Sequence, residues 1–217
     1  MLTEEQIKKL GCENGDYNGP PAFPDSYRIL QDPWELFQAL SFIREFCTDL
    51  FSQYVFPKYL EIGLGYGGLI RAMADSDMFC YLVGVDDRRC NRFQECLVDN
   101  YGKAHYHRSW DLIEGSTRDP LVIKKIIEKG EYGVIFIDGD HSYDGVRNDI
   151  DIAMQCYAGH MKSVLILHDS IYYGPDGGVA KVVKEIERGE FSRLKVVAKF
   201  ERIYGIVICE ILGPPGP

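Results

Sequence analysis

Lys58-Tyr59-Leu60-Glu61-Ile62-Gly63-Leu64-Gly65-Tyr66-Gly67-Gly68 decides how the rest of the chain is read. Its apolar residues predict a short strand over 58–62. The glycines that follow predict a tight turn into a helix reaching about Ala74. Glycines at such a turn let the backbone approach a ligand closely at the N-terminus of the helix.

The alternation recurs downstream. Apolar runs predict strands over 81–85, near 111–114, over 132–137 and over 163–167. Between them come helices marked by Phe93 and Leu97, by Leu121, Ile123, Ile126 and Ile127 behind Asp119-Pro120, by Val146, Ile150, Ala153, Met154 and Tyr157, and by Val179, Val182, Val183 and Ile186. Upstream, Asp32-Pro33-Trp34-Glu35 supplies a capping carboxylate, a proline at the first helical position and Glu at the third. Leu36, Leu40, Ile43, Cys47 and Leu50 carry that helix from 33 to about 52. Continuous apolar strands between amphipathic helices predict an α/β domain whose sheet is mostly parallel and doubly wound. The last two of its seven strands, Leu194–Phe200 and Tyr204–Ile211, break the alternation and predict an antiparallel hairpin at one edge. The domain is expected over 33–212. It follows an irregular lead-in, 1–32, whose Tyr17, Phe23 and Tyr27 would suit a cover over an acceptor pocket, and precedes a frayed tail, 213–217.

A net charge of −9 argues against a broad phosphate-binding surface and therefore against nucleic acid. Arg88, Arg89 and Arg92 form a local cluster that reads as a solvated helix face. Met1–Leu10 is charged and polar, unlike a secretory signal, and no apolar run approaches the roughly 20 residues a membrane span requires. Seven scattered cysteines without a Cys-x-x-Cys pair suit reduced thiols in a cytoplasmic protein.

Ligands of an open parallel sheet collect beyond the carboxyl ends of its strands. Here those ends carry Glu61 to Gly68, Asp86-Asp87, Gly115-Ser116, Asp138-Gly139-Asp140-His141 and His168-Asp169-Ser170. Gly63-x-Gly65-x-x-Gly68 satisfies a dinucleotide fingerprint, with Asp86 near the place of a ribose-binding acid. The same run also reads Glu61-x-Gly63-x-Gly65-x-Gly67. A pyrophosphate beside Glu61 would be repelled, whereas the amino group and sulfonium of S-adenosylmethionine would be attracted, so the second ligand fits better. Asp86, or its neighbour Asp87, is placed for the ribose hydroxyls, and Gly115-Ser116 for the adenine. Asp138 and Asp169, at the ends of strands joined by one crossover, would either share a proton or hold a divalent cation. His141, three residues past Asp138, is positioned to point into the same space.

The segment from Tyr59 to Gly68 resembles motif I of class I S-adenosylmethionine-dependent methyltransferases. Phe136-Ile137-Asp138-Gly139-Asp140-His141-Ser142-Tyr143, followed by Leu167-His168-Asp169-Ser170, resembles the small-molecule O-methyltransferase branch that includes macrocin-type O-methyltransferases and cephalosporin-hydroxylase-like proteins. The resemblance runs from about Gln31 to Ile211. It implies a Rossmann-like fold, S-adenosylmethionine held by Glu61, Gly63, Gly65, Gly67, Asp86, Gly115, Ser116 and Asp138, and Mg²⁺ or Mn²⁺ held by Asp138, His168 and Asp169. His141 stands at the position of the general base, which would take the proton of a small-molecule hydroxyl as the methyl group arrives. His168 occupies a place where the macrocin type often carries a carboxylate, and Ser170 one where the catechol enzymes carry asparagine. A nitrogen donor there would favour Mn²⁺ or Fe²⁺ over Mg²⁺. Three rival readings differ in chemistry: a nicotinamide-dependent dehydrogenase, a cofactor-binding protein without catalysis, and a methyltransferase that uses His141 without a metal.

Overall fold

A computed structural model describes residues 31–46, 57–65, 67–75, 78–87, 110–159 and 162–213. In chain order its elements are α1 (Pro33–Phe46), β1 (Lys58–Ile62), α2 (Gly68–Asp75), β2 (Tyr81–Asp86), β3 (Trp110–Glu114), α3 (Pro120–Glu128), β4 (Tyr132–Ile137), α4 (Tyr143–Cys156), β5 (Ser163–His168), α5 (Gly178–Glu187), β6 (Leu194–Phe200) and β7 (Ile206–Ile211). The lead-in with Tyr17, Phe23 and Tyr27, the first helix beyond Phe46, the Phe93–Leu97 helix and the Arg88, Arg89 and Arg92 cluster lie outside the described residues. So does the tail beyond Gly213.

The strands form one seven-stranded Rossmann-like sheet in the order β3-β2-β1-β4-β5-β7-β6. The first five run parallel, while β7 lies antiparallel between β5 and the edge strand β6. This is the expected closing hairpin, with its second strand on the inside. Every residue of β4 and β5 is buried, and successive side chains face opposite layers. Val134, Phe136, Val164 and Ile166 pack with Leu36, Leu40 and Ile43 of α1 and with Ile70 and Met73 of α2. Ile135, Ile137, Leu165 and Leu167 pack with Ile126 of α3, Ile150 of α4 and Val182 of α5. Two cores of this kind are why these strands read as unbroken apolar runs.

The chain builds outward from β1 through β2 to β3, then returns to β4 on the other side of β1. The β1–β4 boundary is therefore the switch point at which a cleft opens above the sheet. The two strands meet tightly there. Asp138 N donates to Ile62 O at 2.8 Å, and a Cβ on Gly63 would stand 2.2 Å from the Asp138 carbonyl oxygen. With φ of 86°, Gly63 needs glycine for its conformation as well as for space.

The start of α1 departs from a simple capping box. Asp32 Oδ1 caps the helix by accepting from Glu35 N at 3.0 Å. The Glu35 carboxylate turns instead to the β6–β7 turn and accepts from the backbone N–H groups of Arg202, Ile203, Tyr204 and Gly205. Donors at Tyr204 and Gly205 are thereby withdrawn from the sheet ladder, which is why the last strand begins at Ile206 rather than at the expected Tyr204.

Candidate active site

A cleft of about 1050 Å³ runs over the carboxyl ends of the parallel strands. Its floor is the glycine turn, where Gly63, Gly65 and Gly67 all have positive φ. Among the described residues, a Cβ on Gly65 would meet nothing within 4 Å. Asp86 Oδ2 at the end of β2 accepts from Leu64 N at 3.0 Å and Gly65 N at 3.3 Å, fixing the turn that it borders. Gly115 N donates to Asp86 O at 2.9 Å, and Ser116 follows it on the cleft wall. Glu61 projects from β1, only 2% exposed, and accepts from Tyr59 Oη at 2.9 Å. Burial raises its carboxyl well above the ordinary range, against the pull of the Tyr59 hydrogen bond.

Across the β4 and β5 ends the charged groups converge, as the pairing of Ile137 with Leu167 requires. His141 Nε2 lies 3.1 Å from Asp138 Oδ1 and 3.5 Å from Asp169 Oδ2. His168 Nδ1 lies 2.8 Å from the same Asp138 oxygen and 3.2 Å from Asp169 Oδ1. Asp138, His141 and Asp169 each offer a donor atom within 4.8 Å of the others. His168 sits behind them, 3% exposed, its ring against Phe136 and Tyr204.

These contacts set the charges. Burial pushes the Asp138 carboxyl up, but the His168 and His141 imidazoles outweigh it and hold the group at about 2. Asp169 ends above its ordinary value, chiefly through burial. Burial lowers both histidines, and the Asp138 and Asp169 carboxylates together more than reverse this, leaving both raised. Asp169 also has φ of 62°, a conformation uncommon for non-glycine residues though one that aspartate tolerates better than most. The turn after β6 ties down the residues that follow: Ser170 N donates to Gly205 O at 3.1 Å and Ile171 N to Tyr204 O at 3.0 Å.

A family model described as a methyltransferase domain matches residues 60–170, just over half of the 217. The chain belongs to this methyltransferase family. The match takes in the glycine turn, Asp86, Asp138, His141 and Asp169. An uncharacterized protein of Acanthamoeba polyphaga mimivirus is 26% identical over 160 residues, covering 70% of this chain and 72% of that protein. Among solved structures, the O-methyltransferase TomG of Streptomyces achromogenes, in complex with S-adenosylmethionine, is 16% identical at a TM-score of 0.63. That alignment covers 95% of this chain and 89% of TomG. MycE of the mycinamycin biosynthetic pathway, in complex with Mg and S-adenosylhomocysteine, is 16% identical at a TM-score of 0.53. It covers 82% of this chain, which spans half the length of MycE. At these identities the likeness to TomG and MycE is one of fold, while the family match makes the chain an S-adenosylmethionine-dependent methyltransferase.

Other cleft residues of the methyltransferase carried weaker signals in the sequence. Gln31 Nε2 donates to Asp138 Oδ2 at 3.2 Å across 107 positions, which no local pattern announces. Tyr172 and Tyr173 line the mouth beside His141, with the Tyr173 ring 5.3 Å away. Asp149 is different: it sits among Val146, Ile150 and Ala153 on the apolar face of α4, and a carboxylate in such a stripe is a signal in itself.

Proposed function

We propose that this methyltransferase moves a methyl group to a hydroxyl of a small molecule, such as a sugar or natural product, with a divalent cation at Asp138 and Asp169 and His141 as the general base. The observation that carries the reading is the meeting of Asp138, His141 and Asp169 at one end of the glycine-floored cleft. S-adenosylmethionine supplies an activated methyl group on a sulfonium. The chain fits that cofactor: the open glycine turn gives backbone contact, and buried Glu61 suits a cationic amino group. Asp86 and Ser116 border the space for the ribose and the base. A cytoplasmic setting agrees with Cys80, Cys156 and Cys209 being free thiols.

The cofactor part is tested by calorimetry. S-adenosylhomocysteine should bind and NAD should not, and Glu61→Ala and Asp86→Ala should each weaken binding by roughly 10-fold or more. Because Glu61 is raised in the free protein, an ammonium group bound beside it would favour the carboxylate and expel its proton. Affinity should therefore rise with pH until Glu61 is ionised before binding, then level off. Micromolar NAD binding, or undiminished S-adenosylhomocysteine binding in both variants, would defeat the assignment.

For the cation, the donor set is two carboxylates and an imidazole, and the buried Asp169 Oδ1 has the 3.2 Å ion-pair contact with His168 Nδ1 as its polar neighbour among the described residues. A hard divalent ion suits such oxygens and would supply charge stabilisation to a substrate hydroxyl. An ion that binds only the folded chain raises its stability by about 2.7 kcal/mol at 100 times its dissociation constant. Mg²⁺ or Mn²⁺ should accordingly raise the melting temperature, Asp138→Asn and Asp169→Asn should abolish the rise, and EDTA should stop transfer. If His168 contributes as a ligand, Mn²⁺ should outperform Mg²⁺ and His168→Ala should remove the preference. Absence of any thermal response together with full activity in EDTA would leave His141 to act without a metal. The clustering of donor atoms favours a second reading as well, in which His141 is itself a ligand.

A further inference from the structure

The mouth of the cleft, beyond the Asp138–Asp169 pair, carries apolar surface that the proposed chemistry does not use. Among the described residues the exposed large hydrophobic side chains are Leu121, Ile171, Tyr172, Tyr173 and Leu212. Three of these five are consecutive and follow directly on Ser170, and Tyr172 and Tyr173 line the cleft. Single exposed apolar side chains are ordinary, whereas a contiguous run at the rim of a cleft marks a place where something binds.

This surface is held in place. Ile171 N and Tyr172 N both donate to Tyr204 O, at 3.0 and 3.2 Å, and Gly174 N closes a turn on Ile171 O at 3.0 Å. Rings brace the side chains. The Tyr204 centroid lies 5.5 Å from that of His168, Tyr172 lies 5.2 Å from Tyr204, Tyr173 5.1 Å from Tyr172, and His141 5.3 Å from Tyr173. The contacts form an arc whose two ends, His168 and His141, both touch Asp138 and Asp169. Even so, Tyr172 is 44% and Tyr173 54% exposed. A ring already held in this way loses little freedom when a ligand covers it.

Polar groups at the same end are engaged within the protein. Gln31 Nε2 donates to Asp138, Asp140 accepts from Arg118 and from Ser142 N, and Ser142 Oγ accepts from Gly145 N. Gly177 and Gly178, which complete the wall, have no side chain to offer. A polyhydroxylated ring entering here would give up water along its edges for few partners. A flat aromatic ring needs only the faces that the two tyrosines expose. Resting on the proposed transfer to a hydroxyl, we infer that the methyl acceptor is a phenol whose ring stacks on Tyr173 beside Tyr172, with its hydroxyl turned to His141. Tyr173 is thereby the residue that selects a flat acceptor over a saturated one.

The test uses catechol and its saturated counterpart, cyclohexanediol, with Mn²⁺ present. Calorimetry in S-adenosylhomocysteine measures binding, and labelled S-adenosylmethionine measures transfer. The wild type should bind and methylate catechol in preference to the saturated diol. Tyr173→Ala should raise the Kd and KM for catechol roughly 3- to 10-fold, the worth of an aromatic pair, with kcat little changed and binding of the saturated diol unaltered. Tyr173→Phe, which keeps the ring, should restore most of the affinity. A tyrosine that only props His141 would instead lower kcat for either diol and leave the preference as it was. That result overturns the inference alone, as does a wild type that favours the saturated diol or a Tyr173→Ala variant that binds catechol like the wild type. Absence of transfer to both diols, with S-adenosylhomocysteine bound, overturns the hydroxyl-transfer reading and the inference with it.

Discussion

Replacing His141 by alanine is expected to lower turnover roughly 10²- to 10⁴-fold while S-adenosylhomocysteine affinity stays unchanged. The argument is positional. His141 leaves the β4–α4 loop beside Ser142, whose Oγ accepts from Gly145 N at 3.1 Å and starts α4. Its ring faces Tyr173 and the two acids, and the glycine turn and Asp86 are held by bonds in which it has no part. On the proposed reading, removing it takes away the proton acceptor and leaves the glycine turn intact. Asp138 holds the imidazole toward its protonated form, and a base must be neutral to act. A cation at Asp138 and Asp169 would oppose that pull, which ties base function to the metal. The measurement is kcat and KM with labelled cofactor, after a screen of hydroxylated compounds identifies an acceptor, with calorimetry alongside. Melting with and without Mn²⁺ then separates the two readings of this residue. A base-only His141 leaves the metal-induced rise in place in the alanine variant, and a ligand removes it. Full turnover in His141→Ala would return the residue to an ordinary loop histidine.

Which of these features were legible in the sequence depends on how far apart their parts lie. Glu61 ends a strand whose turn holds Gly63 and Gly65, and Asp138 and His141 share one loop, so a strand-end survey finds them. Asp169 joins them because β4 and β5 are linked by a single helix and pair in parallel. Long-range partners leave no such trace. Gln31 reaches Asp138 from the segment read as lead-in, and Glu35 reaches residues 167 to 170 positions away. Glu35 also looked locally sufficient as the third residue of a helix start, and a complete local explanation hides a tertiary one. Asp149 gave a signal of the opposite kind, a charge in an apolar stripe, whose meaning depends on the cleft that α4 borders.

Glu35→Ala should destabilise the fold by about 2–6 kcal/mol, since it strands two buried backbone donors at about 1–3 kcal/mol each. Glu35 is 0% exposed, and its two carboxylate oxygens gather four consecutive backbone donors. Truncation would let water reach Arg202, which lies at the surface, but Tyr204 and Gly205 are buried. Their stranded N–H groups would cost about 1–3 kcal/mol each, and the emptied side-chain volume adds to the loss. For a chain of this length that is a fall in melting temperature of roughly 10 °C. The damage should reach the active site, because the same turn supplies the carbonyls of Tyr204 and Gly205 that receive Ser170, Ile171 and Tyr172 N–H. The Tyr204 ring also packs 5.5 Å from His168. With the turn loosened, Asp169 loses this restraint on its positive φ, so the proposed divalent-ion stabilisation should shrink along with intrinsic stability. Glu35→Gln keeps an acceptor oxygen and should lose less on both counts. Urea unfolding with and without Mn²⁺ measures both effects. A loss under about 1 kcal/mol in Glu35→Ala would mean that water replaces the carboxylate at this turn, and that α1 does not anchor the β5 end of the site.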